Sequence, residues 1–188
     1  YNSFNGIYCG YCDEEMLVRA NQVDVASGRG IHLYRCDGDS QRRGLVANNF
    51  VSVEGNTTAY GIFTNQGSFH DFYYNSVQLT NSNLPSAAFY NSSGANKLAL
   101  NNIFSNVGGG YAVIMNGGST SIASSNFNDY YTTGSVLGRW ESQDAVDLAA
   151  WRTLSSKDLL SISVNPLFYS DKDLHVLQVA LDSAALPI

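Results

Sequence analysis

Apolar and polar positions alternate in short runs from Tyr1 to Tyr131, and the runs recur at a nearly fixed spacing. Alternation over four to eight residues marks a half-buried strand, and recurrence every few tens of residues marks a repeat architecture. The segment Leu17-Val18-Arg19-Ala20-Asn21-Gln22-Val23-Asp24-Val25 aligns with Leu45-Val46-Ala47-Asn48-Asn49-Phe50-Val51-Ser52-Val53, with Leu, Val, Asn, Val and Val identical. Anchoring on the Asn gives Asn21, Asn49, Asn75, Asn102 and Asn126, at nearly equal intervals of which the last is the shortest. Three residues before these anchors stand Val18, Val46, Phe72, Ala99 and Ala123, all apolar as an inward-facing stack requires. A second column consists of Ile7, Ile31, Ile62, Phe89 and Val113, each preceded by Gly or Ala.

Two columns with one member per interval predict an all-β chain, a right-handed parallel β-helix solenoid of about five coils or more. Each coil buries its apolar side chains only against the coils above and below, so stability grows with stacking and the ends need caps. Stacked strands lie about 4.8 Å apart, close enough for an Asn side chain to donate to its equivalent on the next coil. The asparagine column is therefore expected to be structural. Beyond Tyr131 the period fails. The run from Asp144 to Leu154 predicts a short helix on the flank of the last coils, with Asp144 as candidate N-cap and Trp140 and Trp151 as anchors. Residues 165–168 and 174–177 resume β-like patterning. The expected organisation is one unit over 1–188, with regular coils over 1–131, an insertion carrying the helix over 132–164, and last β segments over 165–188.

Composition narrows the functional classes. Hydrophobic residues make up 44% of the chain and charged residues 14%, enough for a long, thin core. A net charge of −6 with three scattered lysines argues against nucleic acid or an anionic membrane, which are held by clustered Lys and Arg. No apolar run approaches the ~20 residues of a membrane span, and no signal peptide opens the chain. The first residue is Tyr1 rather than Met, which suggests a processed fragment of a longer protein.

Through Gly44-Leu45-Val46-Ala47-Asn48-Asn49-Phe50 and Leu100-Asn101-Asn102-Ile103-Phe104-Ser105-Asn106, the coils resemble the right-handed β-helix repeats of the pectin-lyase-like superfamily. The tail is similar to the end of β-helix regions in large bacterial surface proteins, commonest in gliding and polysaccharide-degrading bacteria. Its motifs are Asn126-Phe127-Asn128-Asp129-Tyr130-Tyr131, Leu148-Ala149-Ala150-Trp151, Asn165-Pro166-Leu167-Phe168 and Asp173-Leu174-His175-Val176. The resemblance implies a secreted or cell-surface multidomain protein in which more chain follows Ile188. Activity does not carry over with the fold.

Uronate lyases on this fold, as the resemblance implies, gather acidic residues for Ca²⁺ and an Arg or Lys base on one sheet face. The local candidate is Cys36-Asp37-Gly38-Asp39-Ser40-Gln41-Arg42-Arg43: Asp37 and Asp39 offer hard oxygen ligands, and Arg42 or Arg43 could meet a carboxylated sugar. Two carboxylates are too few for Ca²⁺ by themselves, and an Asp-Gly-Asp turn between coils explains the same residues. His70 and Asp71, adjacent in a strand, point to opposite faces. Tyr73, Tyr74, Tyr130 and Tyr131 form two neighbouring pairs, with one ring of each pair expected outward where it could stack on a sugar; high β-propensity explains them equally. Cys12 and Cys36 are separated by the same interval as Ile7 and Ile31, so they are stacked neighbours and candidates for a disulfide or a reduced stack. Cys9-x-x-Cys12 alone is a weak metal signal, and no metal or other cofactor is expected; Ca²⁺ belongs to the lyase alternative alone.

The leading functional expectation is a non-catalytic structural or glycan-binding segment of an exported protein. Its expected partners are a polysaccharide or cell-surface glycan and the rest of its own parent chain, with neither nucleic acid nor membrane insertion. The alternatives are a polysaccharide lyase or glycoside hydrolase, and a subunit of an extracellular fibre.

Overall fold

The computed structural model describes residues 4–182. They form a parallel β-solenoid of five coils, each giving one strand to each of three sheets. The first coil comprises β1 (Asn5–Gly10), β2 (Leu17–Arg19) and β3 (Gln22–Val25); the second β4 (Arg29–Tyr34), β5 (Gly44–Ala47) and β6 (Phe50–Val53). The third has β7 (Tyr60–Asn65), β8 (His70–Tyr73) and β9 (Ser76–Leu79); the fourth β10 (Ala87–Asn91), β11 (Lys97–Leu100) and β12 (Ile103–Asn106). The fifth has β13 (Tyr111–Met115), β14 (Ile122–Asn126) and β15 (Asp129–Thr132). Sheet A takes the first strand of each coil, sheet B the second and sheet C the third. Sheet A continues one strand further, to β16 (Gly138–Trp140), on which β17 (Gln143–Ala145) folds back antiparallel.

The corner between sheets B and C is made the same way in every coil. Ala20, Asn48, Tyr74, Asn101 and Phe127 adopt left-handed backbone with φ between 53° and 57°, and an Asn follows each. That Asn donates its backbone N–H and its side-chain Nδ2 to the Oδ1 of the Asn one coil on, giving a ladder through Asn21, Asn49, Asn75, Asn102 and Asn128. From the second coil onward Nδ2 also reaches back to a carbonyl of the coil before: Val18, Val46, Phe72 and Ala99 in turn. Buried amides are thus paired within the column, as a dry interior requires.

The fifth rung corrects the expectation of Asn126. Asn126 lies outside the column, where its Oδ1 accepts from Leu160 N and Phe127 N. The cause is a bulge in β14: Lys97 pairs with Ile122 but Leu98 with Ser124, which leaves Ala123 unpaired and exposed. The inward stack is consequently Val18, Val46, Phe72, Ala99 and Ser125, not Ala123.

Sheet A carries Ile7, Ile31, Ile62, Phe89 and Val113 in one register column, and sheet C faces it with Val23, Val51, Val77, Phe104 and Tyr130. The small residue before each sheet A member is explained by this approach. A methyl group on Gly61 would fall 2.2 Å from Val77 Cγ1 and 2.5 Å from the Ala88 carbonyl. Phe72, Phe89, Phe104, Tyr130 and Trp151 continue as one aromatic stack, with neighbouring centroids 4.9–5.9 Å apart.

Trp151 lies in α1 (Leu148–Ser155), which packs against β16 and β17 and closes the far end of the solenoid. The helix begins later than an Asp144 cap implies. Asp144 is spent in β17 on an ion pair with Arg139, and Asp147 is the N-cap, accepting from Ala150 N at 2.8 Å. Behind the helix, the buried Asp158 accepts from Trp151 Nε1, Ser161 Oγ, Ser125 Oγ and Asn128 Nδ2, and Ser161 Oγ receives the backbone N–H of Asn128 where a sixth Asn would stand. Trp140 packs edge-on against Trp151, with centroids 5.6 Å apart.

Residues 165–178 make no further coil; the β pairing there is one antiparallel bridge, Phe168 to Val176. They run back along the outer face of sheet C, through Asp171 on Gln78, His175 on Phe50, and Lys172 on Asp24 and Glu54. A helical turn, α2 (Val179–Asp182), follows, and the expected β segments beyond residue 182 lie outside the described residues.

Candidate binding face

Strand alternation places one residue beyond each inward member of sheet A on the outer surface. In coil order these are Tyr8, His32, Phe63, Tyr90 and Ile114, in register, followed by Arg139 on β16; Phe63 and Ile114 point outward but are buried beneath their neighbours. A flanking row holds Arg29, Tyr60 and Tyr111, with the buried Ala87 between the two tyrosines. The rings pack into one surface: Tyr8 on His32 at 5.1 Å, His32 on Phe63 at 4.9 Å, and Tyr60 and Tyr90 each 5.2 Å from Phe63 and 5.0 Å from each other. Arg29 lies 4.8 Å over the Phe63 ring and Arg139 5.1 Å over Tyr111.

At the later coils this face deepens into a groove of about 640 Å³ lined by Tyr60, Tyr90, Tyr111, Arg139, Glu141 and Ser142 together with Leu84 and Pro85. A smaller recess of about 360 Å³ shares Leu84 and Tyr111 with it. The charged groups at the groove are already engaged. Arg139 pairs with Asp144 at 2.6 Å, which raises its pKa, and Glu141 accepts the backbone N–H of Gly118. Asn116 Nδ2 donates to the Tyr90 hydroxyl at 3.1 Å, orienting that ring. Burial pushes the Tyr60 phenol up and His32 down to about 4, with Arg29 adding to the latter, while Arg29 itself lies over the Phe63 ring with no ion pair among the described residues.

The residues singled out from sequence occupy other places. Asp37 Oδ1 accepts from Ser68 N, and Asp39 accepts from Gln41 N and Arg42 N while pairing with the Arg42 guanidinium at 2.9 Å. Those bonds pull the Asp39 pKa down. Arg42 also meets Glu14, and Arg43 bridges Asp71 at 2.7 Å and the Asn96 carbonyl. The loop is a turn tied to neighbouring coils, its Asp and Arg side chains each engaged with a partner in the protein. His70 is buried and its neighbour Asp71 faces outward.

The four tyrosines separate. Tyr130 is fully buried between Phe104 and Trp151, which corrects its expected place as a ligand-binding ring. Tyr73 is held near Asp71 on sheet B, its phenol pushed up to about 12 by burial and then by that carboxylate. Tyr74 is exposed at the left-handed corner, and Tyr131 stands on sheet C. Cys12 and Cys36 are in contact yet carry free thiols: Cys36 Sγ donates to Cys9 O and Tyr34 O, and Cys12 Sγ to Gly10 O. Burial pushes the Cys36 thiol up to about 11 and raises Cys9. Among the described residues no three His, Cys, Asp or Glu side chains are grouped to hold a metal.

The sheet A face is missed by the reading from sequence although its signal is simple. The residue after each inward Ile7, Ile31, Ile62 and Phe89 is aromatic: Tyr8, His32, Phe63 and Tyr90. No family model, curated protein or solved structure matches the chain.

Proposed function

We propose that this chain is a non-catalytic binding segment of an exported β-helix protein of the pectin-lyase-like kind, which holds a polysaccharide on the outer face of sheet A without cleaving it. The observation that carries this reading is the row of outward rings Tyr8, His32, Tyr60 and Tyr90, packed about the buried Phe63 and opening into the groove lined by Tyr90, Tyr111 and Arg139. Aromatic faces stack on the C–H faces of sugars, and parallel strands repeat about every 4.8 Å, on the order of one sugar unit. The rings carry the stacking, Arg139 and Glu141 at the groove are already engaged, and Arg29 over Phe63 is a cation without an ion pair among the described residues.

Cleavage asks for parts that the groove does not supply. Glycoside hydrolysis uses two carboxyl groups about 5–9.5 Å apart, and Glu141, bound to Gly118 N, is the one carboxylate among the described lining residues. β-Elimination needs a base poised at a sugar C–H, and the Asp144 ion pair raises the Arg139 pKa and so holds that guanidinium protonated. The fibre reading would need two complementary open ends, whereas α1 and Asp158 close one of them.

The test is sedimentation with a panel of insoluble polysaccharides, run beside assays for reducing ends and for the ultraviolet absorbance of unsaturated products. Retention on at least one polysaccharide without product is expected. Turnover lost in Arg42→Ala or Arg43→Ala would replace this reading with an enzyme whose site is the Asp37 to Arg43 loop.

A further inference from the structure

We infer that the N-terminal face of the solenoid is a docking surface for one further parallel coil carrying an Asn at the ladder position, supplied by the same polypeptide and entering β1 through Phe4. The ladder has a direction. Each Asn oxygen from Asn49 to Asn128 takes two hydrogen bonds from the coil before it, and each of these Nδ2 groups reaches a carbonyl of that earlier coil. At Asn21 the oxygen is unfilled and the amide is diverted. No hydrogen bond among the described residues reaches its Oδ1, and its Nδ2 turns to Arg19 O of its own coil at 3.1 Å.

The rest of the first coil agrees. β1, β2 and β3 are the edge strands of all three sheets, so apart from Asn5 their outer rim of backbone donors and acceptors meets no further strand among the described residues. Of the inward side chains of this coil Val18 and Val23 are buried, but Ile7, Cys9 and Val25 are only half-buried, whereas their partners one coil in, Ile31, Leu33 and Val53, are at most 1% exposed. The polar valences define the occupant. A second copy cannot fill them, because its C-terminal end is closed by α1 and Asp158, and two N-terminal faces would set acceptor against acceptor with antiparallel strands. A coil in the same polypeptide fits the entry of the chain: Phe4 O already accepts from Arg29 N at 2.8 Å, stacked on the Gly28 corner as an internal turn would be.

The experiment places a copy of residues 29–59, whose first residue is the register equivalent of Asn5, directly ahead of Asn5 in the full chain. A second variant carries the same copy with its ladder Asn, the equivalent of Asn49, changed to Leu. Urea midpoints and amide hydrogen exchange are compared with the unextended chain. The expected result is a raised midpoint, exchange protection in the copy and in β1, and loss of both in the Leu variant. Random-coil exchange in the Asn copy with an unchanged midpoint overturns the inference, and so does equal protection in both copies, since the ladder valences would then not be what receives the coil.

Discussion

Asn102 gives both its backbone N–H and its side-chain amide to a single oxygen, Oδ1 of Asn128, at 2.9 and 3.0 Å. This rung fixes the register of the fifth coil, because it sets Ser125 rather than Ala123 on the inward stack and lets Asp158 and Ser161 complete the ladder from the far side. Its geometry also says which asparagines hold the fold.

Asn75→Ala should cost about 3 kcal/mol, since it strands two buried donors of Asn49, each worth roughly 1–3 kcal/mol when unsatisfied. Asn126→Ala removes an acceptor at a half-exposed site and should cost about 1 kcal/mol. Urea unfolding of the two variants measures the contrast; equal losses would mean that the column is not where the ladder energy resides.

Much of this architecture is legible in the sequence, for identifiable reasons. Ile7, Ile31, Ile62, Phe89 and Val113 can be aligned because inward side chains in stacked coils must be apolar and small residues must precede them wherever the sheet C valines press close. The fifth rung is misplaced because Asn126 and Asn128 are both available, and the bulge at Ala123 moves the inward position on to the polar Ser125, which hides the apolar signal. One local rule separates them: each true rung has an inward residue two positions on, namely Val23, Val51, Val77, Phe104 and Tyr130. Asn126 is followed at that distance by Asn128. The binding face escapes for a different reason. A search for adjacent tyrosines finds one pair split between core and surface, Tyr130 and Tyr131, and one at the sheet B corner, Tyr73 and Tyr74, whereas a surface row in a solenoid is spaced by one coil.

Core packing gives a second prediction. Ile62→Ala should cost about 2–5 kcal/mol and Phe89→Ala about 3–5 kcal/mol, because both are fully buried with column neighbours on either side. A loss below about 0.5 kcal/mol in urea unfolding would place these side chains outside the core.

Acid should weaken the fold through histidine. His70 is pushed down to about 4 by burial and by Lys97 and Arg43, whereas an unfolded histidine titrates near 6.5. Between those values the unfolded chain binds a proton that the folded chain refuses, so stability falls with falling pH at about 1.4 kcal/mol per unit for each such proton. The half-buried His32, also at about 4, adds to this. Asp129 opposes both: burial pushes it up to about 7, so the folded chain keeps a proton that an unfolded Asp releases near 3.9, and its contribution declines as pH rises and is lost above about 7. His70→Phe should therefore flatten the profile of stability against pH between about 4.5 and 6, and Asp129→Asn should steepen it. Unchanged slopes in both variants would contradict these assignments.

Asp158→Ala should open the capped end. It removes the acceptor for Trp151 Nε1 and Ser161 Oγ in a buried site, a loss of about 3 kcal/mol or more. Hydrogen exchange should rise in α1, β14 and β15 while β4 and β5 keep their protection. Uniform loss of protection across the coils would show that the cap does not act locally.

The binding reading is tested most directly by affinity electrophoresis on whichever polysaccharide retains the wild-type chain, comparing Tyr90→Ala, which sits in the groove, with Tyr74→Ala, an exposed ring at the corner between sheets B and C. Loss of one stacking ring is worth roughly 1–2 kcal/mol, so Tyr90→Ala should weaken retardation about tenfold and Tyr74→Ala should leave it unchanged. Unaltered retardation in Tyr90→Ala, or a loss confined to Tyr74→Ala, would contradict the assignment of sheet A as the glycan-binding face.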